Sequence, residues 1–561
     1  MEFKDVQRLF PSEDGNLDSQ KHFLSLIEKL IVAVDKMKDP SIATLGESKE
    51  RSPEFYGEVI EAANMPNTGV GIHSVVDDLI NLLKGHPYQT RNWLANVMTM
   101  SSIPGILGIL AAVLVNGNNI WDAHGPAGAE AEVRVISMMS KLVKYDYTRS
   151  WGYSTWGGQG ATYAALRIAI AKQFPFAKEE GVNNNLYCFA SEDSHYSLLK
   201  SIEATGIGSK NLIKIRSNPD QSMNTDDLHE KMTTVIKRGG IPICVVATMG
   251  TTDSFGIDDL AEIRRVTDEV CQTNGLRPVH IHGDSAMGGF YAVFNDYDFD
   301  KNPHDYEPDV LEGVKRITER MQHLNLADSL CFDFHKLGQT PYQTSLFLLK
   351  NGKDLTYVDL KEFDTPYIGN RSYGSYHTSY TLECSRMASS ISMYSALMAL
   401  GIEGYQRLLA NYVRVNNVFR RRVEEVIPSI AVTNGCNPGP VTLFRLYPGS
   451  SEWAQELAGE ATSEQIERNN EMTYYLFEAL GRERSKLFFG DTKKQCLVEV
   501  TDSKTRYPIY ATKLFTISPY TEVDHVEYIV NYLKQRVDVI QGATAEAAAS
   551  SEENEGCMNG S

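Results

Sequence analysis

From Trp151 onward, short apolar segments alternate with amphipathic segments of helical length, and this alternation restricts the possible folds more than any other feature of the chain. Strands that alternate with helices form a parallel sheet with helices on its faces. We therefore predict an α/β fold, in which ligands bind at the ends of the strands. The predicted strands are residues 186–190, 212–215, 243–248, 279–282, 330–334 and 346–349, with helices at 226–237 and 258–273.

Lys336 follows the apolar strand 330–334, directly after His335. A lysine at the end of a buried strand is unfavourable to desolvate unless its amine has a use. A depressed pKa of Lys336 would give the neutral amine that attacks a carbonyl. A surface lysine whose ammonium group extends into solvent is the alternative interpretation.

Asp284 ends another apolar strand, and small residues follow it in the sequence HGDSAMGG. A carboxylate at this place can hold a positive charge in a dry site, while Ala286 and its small neighbours leave room for a flat ring on the backbone. With Lys336, the pattern suggests a pocket for pyridoxal phosphate. Lys336 would bind the aldehyde, and Asp284 would keep the ring nitrogen protonated. An ordinary turn aspartate is the alternative for Asp284.

Two further stretches favour such a pocket. In TWGGQGA, a turn containing Gly158 and Gln159 leads into an Ala-rich helix, which would point N–H groups and the positive end of the helix dipole at a phosphate. His195 follows strand 186–190, where an imidazole could stack on the cofactor ring. The simpler alternative for the glycine-rich turn is a tight loop. The simpler alternative for His195 is a helix cap or a surface histidine.

The motifs TWGGQGA, SEDSHYS, ATMGTTDSFGIDD, HGDSAMGG and DFHK occur in the order of a known family. Together they resemble the pyridoxal-phosphate-dependent group II amino-acid decarboxylases, which include the glutamate, aromatic-amino-acid, tyrosine and diaminobutyrate decarboxylases. The resemblance spans residues 86–531. It implies fold type I of the pyridoxal-phosphate-dependent transferase-like enzymes, with a large, mostly parallel seven-stranded sheet. The predicted parts are a helical N-terminal segment (1–125), a large cofactor-binding domain (126–400), a small α+β C-terminal domain (401–541) and a disordered acidic tail (542–561).

The resemblance implies further residues of the cofactor site. Thr252 and Asp258 correspond to residues near the cofactor, although Asp258 could equally be the N-cap of its helix. His335 belongs to the cofactor-binding set. Ser385, in TLECSR, would contact the phosphate of the neighbouring subunit.

Residues 359–386 are rich in glycine and tyrosine and predict a mobile lid over the substrate. The resemblance implies that a lid tyrosine reprotonates the alpha carbon, and Tyr367 is the first candidate, ahead of Tyr373 and Tyr376. The simpler interpretation of these tyrosines is a rim or interface position. Trp121 either lines the active site or is a core residue.

Composition restricts the partners and the compartment. The net charge of -18 argues against nucleic acid or an anionic membrane as a partner. The eight cysteines form neither a CxxC pair nor a zinc-binding spacing, which favours reduced thiols, a cytoplasmic location and no metal site. The N-terminus lacks the pattern of a secretory signal. The apolar stretch 103–115 is too short to span a bilayer and predicts a buried helix.

The resemblance implies a homodimer with the active site at the subunit interface. Residues 22–37 have apolar side chains at helical spacing, and in the family such N-terminal helices pack across the dimer. Packing onto the same chain is the alternative.

The implied reaction is decarboxylation of an L-amino acid to its amine and carbon dioxide. The insertion at 296–322 resembles one in bacterial tyrosine decarboxylases and gives a slight preference for tyrosine or another aromatic substrate. The DFHK variant with Gln339 resembles the diaminobutyrate-type members and favours a diamino or acidic substrate, such as diaminobutyrate, glutamate or aspartate. A carbon–carbon lyase, an aldehyde-forming oxidative deaminase and a catalytically silent scaffold remain as further alternatives.

Overall fold

The computed structural model describes residues 2–49, 51–369, 371–383 and 386–558. Within these ranges it contains sixteen α-helices and fourteen β-strands. The helices are α1 (Phe3–Gln7), α2 (Leu17–Met37), α3 (Pro53–Ala62), α4 (Ile72–Leu83), α5 (Ile103–Val115), α6 (Pro126–Leu142), α7 (Gly158–Gln173), α8 (Ala177–Glu180), α9 (Ser197–Ala204), α10 (Thr225–Lys237), α11 (Leu260–Thr273), α12 (Pro308–Met321), α13 (Ala388–Val426), α14 (Trp453–Leu457), α15 (Ser463–Gly481) and α16 (Val523–Met558). The strands are β1 (Trp93–Leu94), β2 (Trp151–Thr155), β3 (Leu186–Ser191), β4 (Leu212–Ile215), β5 (Ile241–Thr248), β6 (His280–Asp284), β7 (Ser329–Asp333), β8 (Ser345–Leu349), β9 (Ile430–Val432), β10 (Val441–Leu446), β11 (Phe488–Thr492), β12 (Leu497–Val500), β13 (Ser503–Pro508) and β14 (Ala511–Phe515).

Seven strands form the large sheet, in the order β2-β8-β7-β6-β5-β3-β4. The strands β7, β6, β5, β3 and β4 are parallel to one another, whereas β8 runs antiparallel to both β2 and β7. Every residue of β7 and β8 is buried, as expected for strands that are covered on both faces. The predicted α/β class with a large, mostly parallel seven-stranded sheet is confirmed.

All six predicted strands are present, with small shifts at their ends, and β2 is an additional strand. The sequence of β2, WGYST, has no continuous apolar run, which is why the pattern of apolar segments did not predict it. Four of its five residues are nevertheless buried, because β2 pairs with β8 and packs beneath neighbouring helices.

The connection between β7 and β8 explains why β8 is reversed. Residues 334–344 are too few for the helical crossover that two parallel neighbours need. The two strands therefore pair antiparallel, with Asp333 opposite Ser345. This short connection carries His335 and Lys336 at the carboxyl end of β7.

Helix α7 lies across the large sheet and begins directly after β2. Its buried side consists largely of small residues, among them Ala161, Ala165 and Ala169, which let the helix approach the strands closely. Because β2 runs in the same direction as β6 and β7, the start of α7 lies at the carboxyl edge of the sheet. The glycine-rich turn and Lys336 are therefore at the same edge.

A second sheet has the order β1-β11-β14-β10-β9. Its strand β1 comes from the N-terminal part of the chain and pairs parallel with β11, a contact that the sequence did not predict. Helix α13 is interrupted at Gly401, whose φ of 60° lies in the left-handed region that glycine adopts readily. The predicted boundary between the large and small domains lies at this break, and the division into domains remains a prediction.

The predicted disordered tail begins at residue 542, but α16 continues through this position to Met558. The alanine-rich sequence after Gln541 has a high helix propensity, so the helix extends beyond the predicted end at residue 540. The disordered acidic tail at 542–561 stays a prediction.

Helix α5 was predicted to be buried, and this prediction is wrong for the single chain. Its small residues Gly105, Gly108 and Ala112 are buried, and a Cβ at Gly108 would lie 2.6 Å from Ser392 Cα of α13. The large apolar residues on the other side are exposed: Ile103, Ile106, Leu107, Leu110, Val113, Leu114 and Val115. Among the described helices, none is long and apolar enough to cross a membrane.

Candidate active site

Lys336 forms a short ion pair with an aspartate three residues earlier. Its Nζ lies 2.9 Å from Asp333 Oδ2, and the side chains of Lys336 and Asp333 are 19% and 5% exposed. The hydroxyl of Ser345 donates to the other oxygen, Oδ1, of Asp333. The hydroxyl of Thr99 donates to the main-chain carbonyl of Lys336 at 2.8 Å. Lys336 is thus fixed through both its backbone and its side chain.

The ion pair determines the protonation state of Lys336. Burial alone lowers the pKa of Lys336, but the carboxylates of Asp333 and Asp284 outweigh it and hold that pKa above its ordinary value. Burial raises the pKa of Asp333, yet the charge of Lys336 keeps this pKa below its ordinary value. The sequence pattern predicted a depressed pKa because it did not pair Lys336 with Asp333, whose carboxylate raises the pKa of the lysine.

Asp284 lies at the end of β6, one strand away from the Lys336 connection. Its Oδ1 accepts hydrogen bonds from the backbone N–H of Ala286 at 3.3 Å and from the thiol of Cys331 at 3.2 Å. Burial raises the pKa of Cys331, so the thiol keeps the proton that it donates. The carboxylate is thereby held in one orientation at the carboxyl edge of the sheet.

The glycines after Asp284 serve the packing of the fold. A Cβ at Gly288 would lie 2.3 Å from the carbonyl oxygen of Met249, and one at Gly289 would lie 2.6 Å from the ring of Phe332. The sequence interpretation gave these small residues to a bound ring. The structure instead requires both glycines for the close approach of neighbouring strands.

The start of α7 forms another wall of the site. Gly157 precedes the helix, and no side chain caps its first turn. A Cβ at Gly158 would lie 3.2 Å from both Ala286 Cβ and Asp333 Oδ2. Gly158, and Gln159 after it, are therefore next to Asp333 and Ala286, with the N-terminal end of the helix at the pocket.

His195 follows β3 and has two sets of contacts. Its Nδ1 accepts the backbone N–H of Ser197 at 3.3 Å and lies 2.8 Å from the hydroxyl of that residue, so it also supports the start of α9. The neutral ring consequently carries its proton on Nε2. Burial and the charge of Lys336 lower the pKa of His195, while Asp284 and Asp333 act in the opposite direction. His195 is thus close enough to Lys336, Asp284 and Asp333 for their charges to act on its pKa.

His335 lies on the other side of the ion pair. Its Nδ1 donates to the carbonyl of Thr344 at 2.8 Å, and its Nε2 lies 3.6 Å from Asp333 Oδ2. The ring of Tyr342 packs against it, with 4.2 Å between the ring centroids. Tyr342, which is 53% exposed, was not predicted as a site residue.

Asp258 is fully buried behind the site. Its two oxygens accept the backbone N–H groups of Met223 at 2.6 Å and Thr248 at 2.7 Å, and burial raises its pKa to about 7. The structure thus uses Asp258 to hold the end of β5. The interpretation of Asp258 as the helix N-cap is wrong, because Asp259 caps α11. Thr252 is half-buried in the turn that follows β5.

The lid tyrosines differ in their surroundings. Tyr367 and Tyr373 are 69% and 71% exposed. Tyr376 instead donates a hydrogen bond to Glu132, which raises the pKa of Tyr376 further than burial alone does. Trp121 is buried and packs against Tyr373, with 5.4 Å between the ring centroids. Ser385 lies outside the described residues.

The chain matches a known protein family. The model of the pyridoxal-dependent decarboxylase conserved domain matches residues 62–302 and 310–442. The chain belongs to the pyridoxal-dependent decarboxylase family. It is a pyridoxal-phosphate-dependent amino-acid decarboxylase, and the predicted family, cofactor and enzyme class are confirmed.

Relatives within the decarboxylase family act on different amino acids. The chain is 25% identical to L-2,4-diaminobutyrate decarboxylase of Acinetobacter baumannii over 400 residues, which covers 65% of this chain and 69% of the relative. It is 25% identical to aspartate 1-decarboxylase of Aliivibrio fischeri over 425 residues, or 70% and 71% of the two chains. It is 23% identical to L-tyrosine decarboxylase of Enterococcus faecalis over 441 residues, or 66% and 68%.

Solved structures show the same fold. Mouse CSAD in apo form superposes with a TM-score of 0.74 at 16% identity, covering 92% of this chain and 99% of that chain. The glutamate decarboxylase domain of a diaminobutyrate-pyruvate transaminase and L-2,4-diaminobutyrate decarboxylase from Vibrio parahaemolyticus gives 0.70 at 17% identity, covering 97% and 100%.

The side chains at the carboxyl edge of the sheet fit pyridoxal phosphate. Lys336 offers an amine, and Asp284 offers a fixed carboxylate with a thiol and an amide as donors. The open first turn of α7 offers backbone N–H groups for a phosphate. The sequence analysis missed Asp333, Thr99 and Tyr342. Asp333 stood in the quoted DFHK motif, whereas Thr99 and Tyr342 had no local signal.

Proposed function

We propose that this decarboxylase acts on an aromatic L-amino acid, tyrosine or a close analogue, and converts it into the corresponding amine and carbon dioxide. The observation that carries this choice is the pairing of charges around the site. Asp253, whose charge acts on His195, is already bonded to Lys513 at 2.7 Å and to the hydroxyl of Thr492 at 2.9 Å. A charged substrate side chain would have to compete with these ion pairs, whereas an aromatic side chain would not.

The exposed ring of Tyr342 supports the same choice. It lies beside His335, in the connection that carries Lys336, and half of its surface is free. An aromatic substrate ring gains from contact with such a surface. The insertion at 296–322 adds nothing to this preference, since α12 packs against α13 and the 3-10 turn Gly289–Phe294.

Lys336, Asp284, Gly158, Gln159, His195, Ala286, Thr252 and His335 would hold the cofactor. When bound, pyridoxal phosphate supplies a ring that accepts the electron pair left at the alpha carbon as carbon dioxide departs. Asp284, fixed by Ala286 and Cys331, would keep a proton on the ring nitrogen. His195 would pack against the ring while remaining neutral, because burial lowers its pKa.

Tyr367 would donate the proton that the alpha carbon needs to become the amine. Its exposure on this chain suits a residue that acts after the lid closes over the active site at the interface of a dimer, which is the arrangement we propose. The end of the lid segment is anchored by Arg386, which lies 2.6 Å from Glu132.

A homodimer with the active site at the interface is part of the proposal. The exposed apolar residues of α2, α4 and α5 form surfaces of a kind that a second copy would cover. A reducing compartment such as the cytoplasm is also proposed, because several cysteines are free thiols, namely Cys188, Cys244, Cys271, Cys331, Cys436 and Cys496.

A diamino or acidic substrate is the second candidate. The DFHK variant, with Phe334 before His335 and with Gln339 after the motif, favours it, and relatives named as diaminobutyrate and aspartate decarboxylases belong to the same family. The charged side chain of such a substrate would need a partner of opposite charge in the pocket. Asp253 and Lys513 are already paired with each other.

A product screen tests these candidates. Purified protein with pyridoxal phosphate is given the twenty L-amino acids, ornithine, diaminobutyrate and dihydroxyphenylalanine, and carbon dioxide, amine and peroxide are measured together. We expect carbon dioxide and amine without peroxide from aromatic substrates, and none from the Lys336→Ala variant. Turnover confined to diaminobutyrate, glutamate or aspartate would establish the second candidate. Peroxide with an aldehyde would indicate oxidative deamination, and silence would point to a lyase or a scaffold.

A further inference from the structure

We propose that Asp333 is the base that takes the proton from Lys336 when the aldehyde of the cofactor is captured, and the acid that returns it. The inference rests on the proposed role of Lys336 as the cofactor-binding lysine. Its basis is the direct contact of 2.9 Å between Asp333 Oδ2 and Lys336 Nζ, in a pair that is mostly buried.

The protonated form of Lys336 creates the need for such a base. An ammonium group has no lone pair and cannot attack a carbonyl. The neighbouring carboxylates of Asp333 and Asp284 hold the pKa of Lys336 above its ordinary value despite burial, so Lys336 carries its proton near neutral pH. Transfer within the ion pair is the shortest route to a neutral amine.

Asp333 is held in the geometry that this transfer requires. Ser345 donates to its Oδ1, which leaves Oδ2 directed at Lys336. Thr99 fixes the backbone of Lys336 by donating to its carbonyl. A proton can therefore move along an existing hydrogen bond without rearrangement of either residue.

The step balances without a further reactant. The proton moves from Lys336 Nζ to Asp333 Oδ2, and the lone pair of Nζ forms a C–N bond to the aldehyde carbon. The aldehyde oxygen takes one proton from the nitrogen and one from Asp333, and it leaves as water while the C=N bond forms. Asp333 ends as a carboxylate, and the positive charge stays on the nitrogen.

Burial also shifts the pKa values of four other titratable groups around the pair. Burial lowers the pKa of His195 and of His335 below the ordinary value, and it raises the pKa of Cys331 and of Tyr342 above it. The groups that face the pair are His335 in the same connection, Cys331 on β7, Asp284 at the end of β6, His195 after β3 and Tyr342 before β8. A pH dependence of capture between about pH 7 and about pH 9 therefore reports on the proton of Lys336.

The test is the rate of cofactor capture by the apoenzyme, followed by the absorbance of bound pyridoxal phosphate in a stopped-flow instrument. We expect the wild-type rate to be nearly constant from about pH 7 to about pH 9. Asp333→Asn is expected to capture the cofactor about a hundredfold more slowly at neutral pH, because no carboxylate remains to take the proton from the nitrogen and return it. A wild-type rate of capture in Asp333→Asn would overturn the proposal.

Asp354→Asn is a matched control. Asp354 Oδ2 lies 2.7 Å from Lys172 Nζ, and its Oδ1 accepts from Asn351 at 3.0 Å, which repeats the arrangement of Asp333 at a distance from the site. This variant is expected to keep the wild-type rate and profile. Asp333→Ala supplies a second test, because added formate can occupy the vacated place and restore capture. Failure of formate to increase the rate counts against the proposal.

Borohydride reduction followed by peptide mapping separates this inference from the choice of Lys336. Wild-type protein should carry the reduced cofactor on the peptide that contains Lys336, and Lys336→Ala should carry none. Cofactor fixed to a different lysine would refute the proposed site. Cofactor fixed to Lys336 at the same rate with and without Asp333 would refute only the role of Asp333.

Discussion

The carboxylate of Asp284 is held by two donors from different parts of the chain, the N–H of Ala286 and the thiol of Cys331. The contact with Ala286 is local, since this residue lies two positions along the chain. The contact with Cys331 crosses from β7 to β6. Both leave the second oxygen, Oδ2, for a cationic partner. The residue is thus placed to act on bound pyridoxal phosphate through its charge.

Asp284→Asn should lower kcat about a hundredfold, because an amide no longer favours a proton on the ring nitrogen. The measurement is kcat with the best substrate of the product screen, together with the thermal unfolding temperature. Asp268→Asn, at a half-exposed carboxylate of α11, serves as the control and should leave both unchanged. An unchanged kcat in Asp284→Asn would mean that another group protonates the ring.

Tyr367→Phe tests the proposed proton donor of the lid. Removal of the hydroxyl should reduce amine formation about a hundredfold and divert part of the substrate to aldehyde and peroxide. The products are quantified by chromatography, and Tyr373→Phe is the control because that side chain is exposed to a similar extent. Normal amine yield without aldehyde would clear Tyr367 of this role.

At the scale of elements, a buried network joins α6, β2 and the end of the lid segment. Glu132 lies 2.6 Å from Arg386, and it accepts the N–H of Ser154 at 2.8 Å and the hydroxyl of that residue at 2.6 Å. Tyr376 donates to the same carboxylate. This network therefore joins Tyr376 and Arg386 of the predicted lid segment to α6 and β2.

Glu132→Gln leaves the charge of Arg386 buried without a counterion, and we expect a loss of about 3 kcal/mol of stability. The midpoint of urea unfolding measures this loss. Glu130→Gln is the matched control, since Glu130 pairs with Arg134 at 2.6 Å on the surface of the same helix and should change stability by less than about 1 kcal/mol. Equal effects of the two variants would contradict the structural role of Glu132.

For the whole molecule, the exposed apolar face of α5 is the feature that a single chain does not explain. Leu107 and Val113 are 55% and 62% exposed, while the small residues on the opposite side of the helix pack against α13. A second copy of the chain would remove this surface from water.

Leu107→Asp combined with Val113→Asp should convert a dimer into monomers and abolish activity, because carboxylates cannot be buried unpaired in an interface. Analytical ultracentrifugation measures the oligomeric state. Val539→Asp on α16, at a side chain with 67% exposure, is the control and should remain dimeric. Dimers of the double variant with full activity would show that α5 lies outside the interface.

The sequence by itself determined the order of strands and helices, the family, and the residues Lys336, Asp284 and His195 at strand ends. These features depend on patterns within about ten residues, since apolar periodicity and glycine stops act locally. The same locality explains why β2, whose sequence has no continuous apolar run, was missed.

Only the tertiary structure decided how those residues are paired. The proximity of Asp333, Ser345 and Thr99 fixes the charge and place of Lys336, and these contacts depend on the reversal of β8 and on a segment more than two hundred residues away. The use of Asp258 for backbone bonds, the addition of β1 to the second sheet and the exposed face of α5 likewise follow from packing. Charges and hydrogen bonds act through distances in space, which a linear pattern does not contain.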